Sequence, residues 1–349
     1  MRIAVLANLK MNAPIYTGMP SDRWDDLDSP KTMEAIAKVF QKMGHEAEFF
    51  EATILPPYHL IERLREYKPD LCFNMAESHF GDAREAQIPA ILEMLQIPYS
   101  GSRMLSLALA LDKAMTKRIL RDAGLPTAEF QIFERGDEPI NPEFLNGGDL
   151  RYALFVKPNA EGTSMGVGAD SIVRTVAELR ERVAGHIARY KQPILVERYI
   201  KGREILVGMV GNLPNLTFMP ILELDHAAYG NGHSGVYTND MKTNGVLEDY
   251  IYHCPAPLSD AQRDELLRLG AETFRAIGCS DVARVDFRLD ASDNDKPYIL
   301  EINPLPGLTP GFSDLCLQGL AMNWDHDRLV GAILNAALER HGLREKVKA

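Results

Sequence analysis

The chain has 349 residues, is 46% hydrophobic and 25% charged, and carries a net charge of -11. Such numbers fit a globular protein of two or three packed lobes and exclude a disordered or fibrous chain. The acidic balance excludes a dedicated nucleic-acid binder, because phosphate backbones are held by dense Lys/Arg patches; an anionic ligand must be drawn in by local cations.

The opening run Ile3–Ala7 is too short for a signal peptide or a membrane span and reads as a first buried strand. An irregular polar stretch follows through Asp28. Ser29-Pro30 then announces a helix, Ser as N-cap and Pro at the first helical position, with Met33, Ile36, Ala37 and Phe40 at helical spacing and Gly44 as its stop. Glu46–Phe50 and Leu71–Asn74 read as strands, and a helix from about Arg84 to Leu95 leads to Pro98-Tyr99-Ser100-Gly101. Strands alternating with helices predict an α/β fold with a doubly wound parallel sheet in this lobe. Cys72, Cys254, Cys279 and Cys316 lie far apart with no CxxC pair, which argues for reduced thiols and a cytoplasmic location rather than disulfides or zinc.

Helices are expected around Ser102–Leu109 and Asp112–Ala123. Lys113 at the start of the latter could reach phosphates, or it and Lys117 simply keep the helix soluble. Tyr152–Lys157 reads as a strand ending on a lysine, and Glu161-Gly162-Thr163-Ser164-Met165-Gly166-Val167-Gly168 follows it. Glycines let backbone N–H groups and the Thr163 and Ser164 hydroxyls approach an anion, so the loop suits a phosphate; a plain hairpin turn is the alternative, and Lys157 favours phosphate. The segment lacks the GK[ST] ending of a P-loop. A helix near Val176–Tyr190 and a strand Pro193–Arg198 close the middle region.

The last region is strand-rich: Glu204–Val210, Thr217–Leu222, Ala283–Leu289 and Tyr298–Ile302, with a polar loop Ala228–Gly245 and a helix Asp260–Ile277 between them. Lobe boundaries near residues 101 and 198 divide the chain into 1–101, 102–197 and 198–349. Alternation puts Arg284, Asp286 and Arg288 on one strand face, and Glu301 and Asn303 on one face of the next. If the two strands pair as a hairpin, three oxygen-bearing side chains converge in a set that suits a hard cation such as Mg²⁺; a solvated charged face is the other reading.

In order along the chain, Phe73-Asn74 with the G-x-x-x-E-x-Q segment Gly81–Gln87, IPYSGS (Ile97–Ser102), LDKAMTK (Leu111–Lys117) and VKPNAEGTSMGVG (Val156–Gly168) resemble the ATP-grasp superfamily. VERYIKGREI (Val196–Ile205), ARVDFRLD (Ala283–Asp290) and YILEINPLPGL (Tyr298–Leu308) continue the match, which is closest to the D-alanine–D-alanine ligase-like family. The resemblance implies a three-lobed ATP-grasp fold and an ADP-forming carboxylate–amine ligase working through an acylphosphate. It implies that Lys113 and Lys157 contact ATP phosphates and that the loop bearing Glu161, Gly162, Met165 and Gly166 folds over them, with Thr163 and Ser164 among the catalytic groups. Glu197, Arg198 and Ile200 would line the adenine pocket and Glu204 would bind the ribose. Asp286, Glu301 and Asn303 would hold two Mg²⁺ ions, Mn²⁺ being an alternative, and Arg284 would face the oxyanion. Lys242 would belong to a mobile loop closing over ATP. Relatives are commonly homodimers; amino-acid or other carboxylate substrates and ATP are the implied partners, with no nucleic acid and no membrane.

The pattern departs from the family on the amino-acid side. An N-terminal glutamate of the D-alanyl ligases has no counterpart in Asn8–Pro14, their L-H-G histidine falls at Glu77, and their serine–leucine element becomes Thr309–Asp314. Glu77, Gly307 and Ser313 are the candidate substrate contacts. D-alanine–D-alanine ligation and a ligation in specialised metabolism with a different acid or amine both fit; a non-catalytic nucleotide-binding module fits less well, because plain ATP binding needs no Arg284.

Overall fold

The computed structural model describes residues 1–225 and 252–344. The expected polar loop with Lys242 lies outside the described residues. Three sheets organise the chain, each with its own helices.

Strands β1 (Arg2–Ala7), β2 (Glu46–Glu51) and β3 (Leu71–Met75) form a parallel sheet in the order β2-β1-β3, so the opening apolar run is its central, fully covered strand. Helix α1 (Pro30–Lys42) starts where Ser29 accepts a hydrogen bond from the Thr32 amide, and it buries Met33, Ile36 and Phe40. Helices α2 (Leu60–Tyr67) and α3 (Gln87–Leu95) complete this lobe. The first turn of the expected Arg84–Leu95 helix is a 3-10 turn, Arg84–Ala86.

Helices α4 (Met104–Leu111) and α5 (Lys113–Asp122) come next. The middle sheet runs β4-β9-β7-β8, from β4 (Phe130–Phe133), β7 (Leu154–Pro158), β8 (Ile172–Val173) and β9 (Ile194–Arg198). A short hairpin, β5 (Leu145–Asn146) and β6 (Asp149–Leu150), sits in the loop before β7. Helix α6 (Val176–Tyr190) begins with a capping box of Thr175 and Glu178 and covers this sheet.

The third sheet is antiparallel, in the order β13-β12-β10-β14-β15 with β11 also on β10. Its strands are β10 (Gly202–Asn212), β11 (Asn215–Phe218), β12 (Leu222–Leu224), β13 (Tyr252–His253), β14 (Val282–Asp290) and β15 (Lys296–Asn303). The expected single strand Thr217–Leu222 is two, β11 and β12. Pro220 lies between them and brings no amide hydrogen to a ladder, which accounts for the break. Helix α7 (Asp260–Ile277) has a capping box from Ser259 and Gln262 and ends at left-handed Gly278. Helices α8 (Asp314–Ala321) and α9 (His326–Arg340) close the chain. No helix among the described residues is long and apolar enough to cross a membrane.

The cores show which parts move together. One joins Ile3, Val5, Met33, Ile36, Phe40 and Phe73 of the first lobe to Leu329, Val330, Ile333 and Leu334 of α9. Another joins Ala110 of α4 and Leu120 of α5 to the antiparallel sheet. A third, Phe133, Phe144, Leu154, Val156, Leu179, Val183, Ile194 and Val196, lies wholly within the middle lobe. Asp281, fully buried, fastens the first lobe to the last: it accepts from Arg340 at 2.7 and 3.0 Å, from the Gly101 amide at 2.9 Å and from Asn212 at 2.9 Å.

Candidate active site

Two adjoining cavities open between the lobes. The larger, about 500 Å³, is lined from the first lobe by Asp26, Asp28, Glu77 and Glu85, and from the last lobe by Arg284, Asn303, Gly307 and Ser313. The smaller, about 90 Å³, is lined by Lys157, Ser164, Met165, Glu204, Asp286 and Arg288 among others. Lys113, Glu161, Gly162 and Glu301 line both and mark where the two meet.

The lysines are placed by a closed set of local contacts. Asp112 caps α5 by accepting from the Met115 amide, and Asn159 accepts from the Lys113 and Ala114 amides, fixing the helix start against the end of β7. Lys113 then donates to the Glu161 carbonyl at 2.6 Å and lies 3.3 Å from Glu301. Glu197 on β9 is 2% exposed and receives two lysines, Lys117 at 2.6 Å and Lys157 at 2.8 Å. Burial pushes the Glu197 carboxyl up, but the two ammonium groups outweigh it and hold it at about 2. Lys117 is fully buried, so it does not serve solubility. Two ammonium groups against one carboxylate leave this dry corner positive, a setting suited to phosphate. Burial pulls Lys117 below its ordinary range, while Lys157 is raised because Glu197 and Glu301 more than offset its burial.

The glycine-rich loop leaves β7 at Pro158 and folds back toward the first lobe. Thr163 and Ser164 both adopt left-handed backbone, with φ of 45° and 53°, a strained pair of the sort that clusters at ligand-binding loops. Gly166 cannot be replaced: a Cβ there would lie 2.7 Å from Pro158 Cγ. Its amide donates to Asp22 at 3.0 Å, and its carbonyl lies 2.9 Å from His186 Nε2. The Glu161 side chain is engaged by Arg23 at 2.7 Å, Gln192 at 2.6 Å and Arg84 at 3.3 Å, so it anchors the loop rather than pointing at a ligand.

The β14–β15 hairpin forms in the register that strand alternation allows: Arg284 opposite Asn303 and Asp286 opposite Glu301, with a bulge after Asp286. Arg284 grips Asp286 in a two-pronged contact at 2.7 and 2.8 Å and reaches Asp314 at 2.9 Å. Asn303 donates to Asp286 at 3.1 Å. Asp286, Glu301 and Asn303 supply only oxygen acceptors and an amide, the donor set of a hard divalent cation that keeps water and phosphate oxygens in its shell. They fit such an ion by chemistry. Among the described residues no group of three or more His, Cys, Asp or Glu side chains is arranged to hold a metal ion.

Other expected residues are placed differently. Arg198 pairs with Glu129 and Asp290 and lies over Tyr298, with its guanidinium 4.8 Å from the ring centre. Neither it, Glu197 nor Ile200 lines the two cavities. Glu204 lines the smaller cavity and pairs with Arg288 at 2.7 Å. Sequence reasoning missed Asp22, Arg23, Asp26, Asp28 and Arg84, which bring the first lobe onto the loop and into the cavity. The G-x-x-x-E-x-Q segment contains Arg84, but its spacing gives no sign that Arg84 Nη2 meets Asp26 at 2.8 Å.

The first-lobe wall is acidic. Burial, then repulsion by Asp26, pushes Asp28 up to about 7. Burial likewise raises Glu77, with repulsion by Glu85 and Asp26 adding to it, and raises Glu85 to about 7. Asp28 titrates below pH 5 in an unfolded chain, so its folded-state penalty is absent near pH 4, grows as pH rises, and is complete above about 7. Asp28→Asn is therefore expected to match the parent's melting temperature near pH 4 and exceed it by a few °C at pH 8. Melting curves across that range, with a difference that stays flat, would discard this assignment.

Comparisons with known proteins agree with this architecture. The family described as D-ala D-ala ligase C-terminus matches residues 119–335, more than half of the chain. An uncharacterized protein of Sinorhizobium fredii, y4sG, is 32% identical, covering 98% of each chain. The D-alanine–D-alanine ligase of Pelotomaculum thermopropionicum is 31% identical over 91% of this chain and 94% of its own. That of Anaeromyxobacter dehalogenans is 32% identical over 90% and 97%. Among solved structures, D-alanine–D-alanine ligase from Bacillus anthracis complexed with ATP superimposes with a TM-score of 0.72, at 24% identity and 99% coverage of both chains. With its three sheets, lysine pair, glycine-rich loop and carboxylate hairpin, the chain belongs to the D-alanine–D-alanine ligase-like family of the ATP-grasp superfamily.

Proposed function

We propose that this ATP-dependent ligase joins a carboxylate to an amine, with amino acids as substrates, by way of an acylphosphate. The observation that carries the reading is the meeting of two cavities at Lys113 and Glu301, one beside the buried lysines and the other large enough for the reactants.

In this reading ATP enters on the side of the smaller cavity, with its phosphates reaching the junction with the larger one. Lys157 and Lys113 neutralise its phosphates, the backbone of Gly162–Gly166 covers them, and Glu204 holds the ribose. Mg²⁺, when bound by Asp286, Glu301 and Asn303, would withdraw charge from the transferring phosphoryl group. The substrate carboxylate in the larger cavity attacks the γ-phosphorus and ADP departs. The amine then attacks the acyl carbon, and phosphate leaves as the amide forms. Arg284 faces the oxygen on which negative charge builds. The loop held down by Asp22, Arg23 and Arg84 keeps water from the acylphosphate, which would otherwise hydrolyse.

The test is ADP release by the purified chain with Mg²⁺–ATP and D- and L-amino acids, singly and in pairs, followed by product mass. The expected result is ADP formation that depends on a particular pair, with a product lighter than the sum of its reactants by one water. No stimulation by any acid and amine would reject the ligase reading in favour of a nucleotide-binding module.

A further inference from the structure

The large cavity has two unlike walls. Toward the hairpin it carries Lys113 and Arg284. Toward the first lobe its lining has five carboxyl groups, Asp25, Asp26, Asp28, Glu77 and Glu85, and one basic side chain, Lys10. Lys10 is bound to Asp25 at 2.6 Å. Arg84, behind this wall, is held by Asp26 Oδ2 at 2.8 Å and the Ala160 carbonyl at 2.9 Å. The neighbouring cations are thus accounted for, and negative charge remains.

Two acceptors on that wall lack partners. The Asp26 side chain is only 5% exposed, and its Oδ1 has no hydrogen-bond partner among the described residues. The Asp28 carboxyl faces the cavity and forms no hydrogen bond or ion pair with any described residue. A buried acceptor left unsatisfied costs about 1–3 kcal/mol, more when charged, and an N–H-bearing cation removes that cost at both oxygens. An anionic group placed here would meet uncompensated repulsion. A methyl group would leave Asp26 Oδ1 unpaired.

We propose, on the ligase reading of this site, that the substrate seated against the first lobe carries a positively charged nitrogen remote from its reacting group. Asp28 and Asp26 hold that nitrogen, with Glu77 and Glu85 beside them. The class is an alkyl ammonium or guanidinium, supplied by a basic amino acid or an aliphatic diamine. Binding such a cation offsets the burial, and the weaker repulsion from neighbouring carboxylates, that raise Asp28, Glu77 and Glu85.

The experiment measures ADP release and product mass for lysine, ornithine, arginine, putrescine and cadaverine against norleucine, alanine and glutamate, both enantiomers of each amino acid, in all pairs. Norleucine matches lysine in length without its charge. The expected kcat/KM for the preferred cationic substrate exceeds that of its neutral counterpart by roughly 10–100-fold, the value of a charge-assisted hydrogen bond. A preferred amino acid makes the source a basic side chain; a preferred diamine makes it an amine acceptor. In Asp28→Asn and Asp26→Asn that ratio is expected to fall toward one. Norleucine or alanine used as well as lysine would overturn the inference while leaving the ligase reading intact. Cationic preference unchanged in both variants would overturn the assignment to this wall. No ADP release with any pair would overturn both readings. The comparison within the unmodified chain needs no variant to fold.

Discussion

Glu301→Gln is expected to lower ATP-driven turnover by roughly 10²–10³-fold while leaving the protein folded. Glu301 sits where the two cavities meet, opposite Asp286 in the hairpin register and 3.3 Å from Lys113, and a neutral amide there weakens the hold on a cation. Two measurements separate this from simple damage. The melting temperature of the unmodified chain should rise with Mg²⁺–ATP, by mass action on the folded state, and that rise should shrink in the variant while its unliganded melting temperature stays put. Asp286→Asn should also lose turnover but is expected to melt earlier, because Asp286 holds the Arg284 guanidinium with both oxygens. Turnover close to normal in Glu301→Gln would remove the hairpin from the cation site.

The second large effect falls on stability. Glu197→Gln leaves Lys117 and Lys157 buried with no carboxylate between them. Breaking a buried pair by deleting one partner costs about 3–5 kcal/mol, and here one deletion takes the carboxylate from two cations, although Lys117 keeps its bond to Thr127 at 2.8 Å. A melting temperature lower by about 10 °C is expected from the usual scaling for chains of this size. Phosphate in the smaller cavity offers Lys157 a replacement partner, so ATP should restore more of the lost stability in the variant than it adds to the parent. A melting point within about 2 °C of the parent would show that the lysines find other partners, and the account of this corner would fall.

Much of the hairpin was legible in the sequence because strand periodicity is local. Arg284, Asp286 and Arg288 alternate with apolar residues, Glu301 and Asn303 do the same, and the only step left to assume was that the two strands pair. The helices that carry strong caps, at Ser29, Thr175 and Ser259, were legible on the same grounds. Lys117 was not. Nothing in Leu111–Lys117 distinguishes a lysine facing water from one facing Glu197, since the partner lies far along the chain on β9. The acidic wall was missed for a related reason. Asp26 and Asp28 fall in a stretch without period or motif, and their neighbours Glu77, Glu85 and Glu161 come from distant segments, so only the tertiary fold shows the crowding. The resemblance compensated on the nucleotide side, where motif and geometry coincide, and could not do so on the substrate side, where the chain departs from the family.

Asp281 ties the outer two lobes into one piece through Arg340 and the Gly101 amide, and a common apolar core reinforces the tie, whereas the middle sheet with α6 has a core of its own. Any opening of this molecule is therefore expected at the middle sheet, as a jaw on a fixed base. The jaw's grip on the base at the loop is polar: Asp22 with the Gly166 amide, Arg23 with Glu161, and Arg84 with the Ala160 carbonyl. These contacts are nearly dry at Glu161 and Arg84, so parting them costs energy, but it uncovers no apolar core. On the proposed reading, opening at these contacts would leave in place the first-lobe surface that meets the cationic end of the substrate, so selectivity would rest with the base and entry with the jaw.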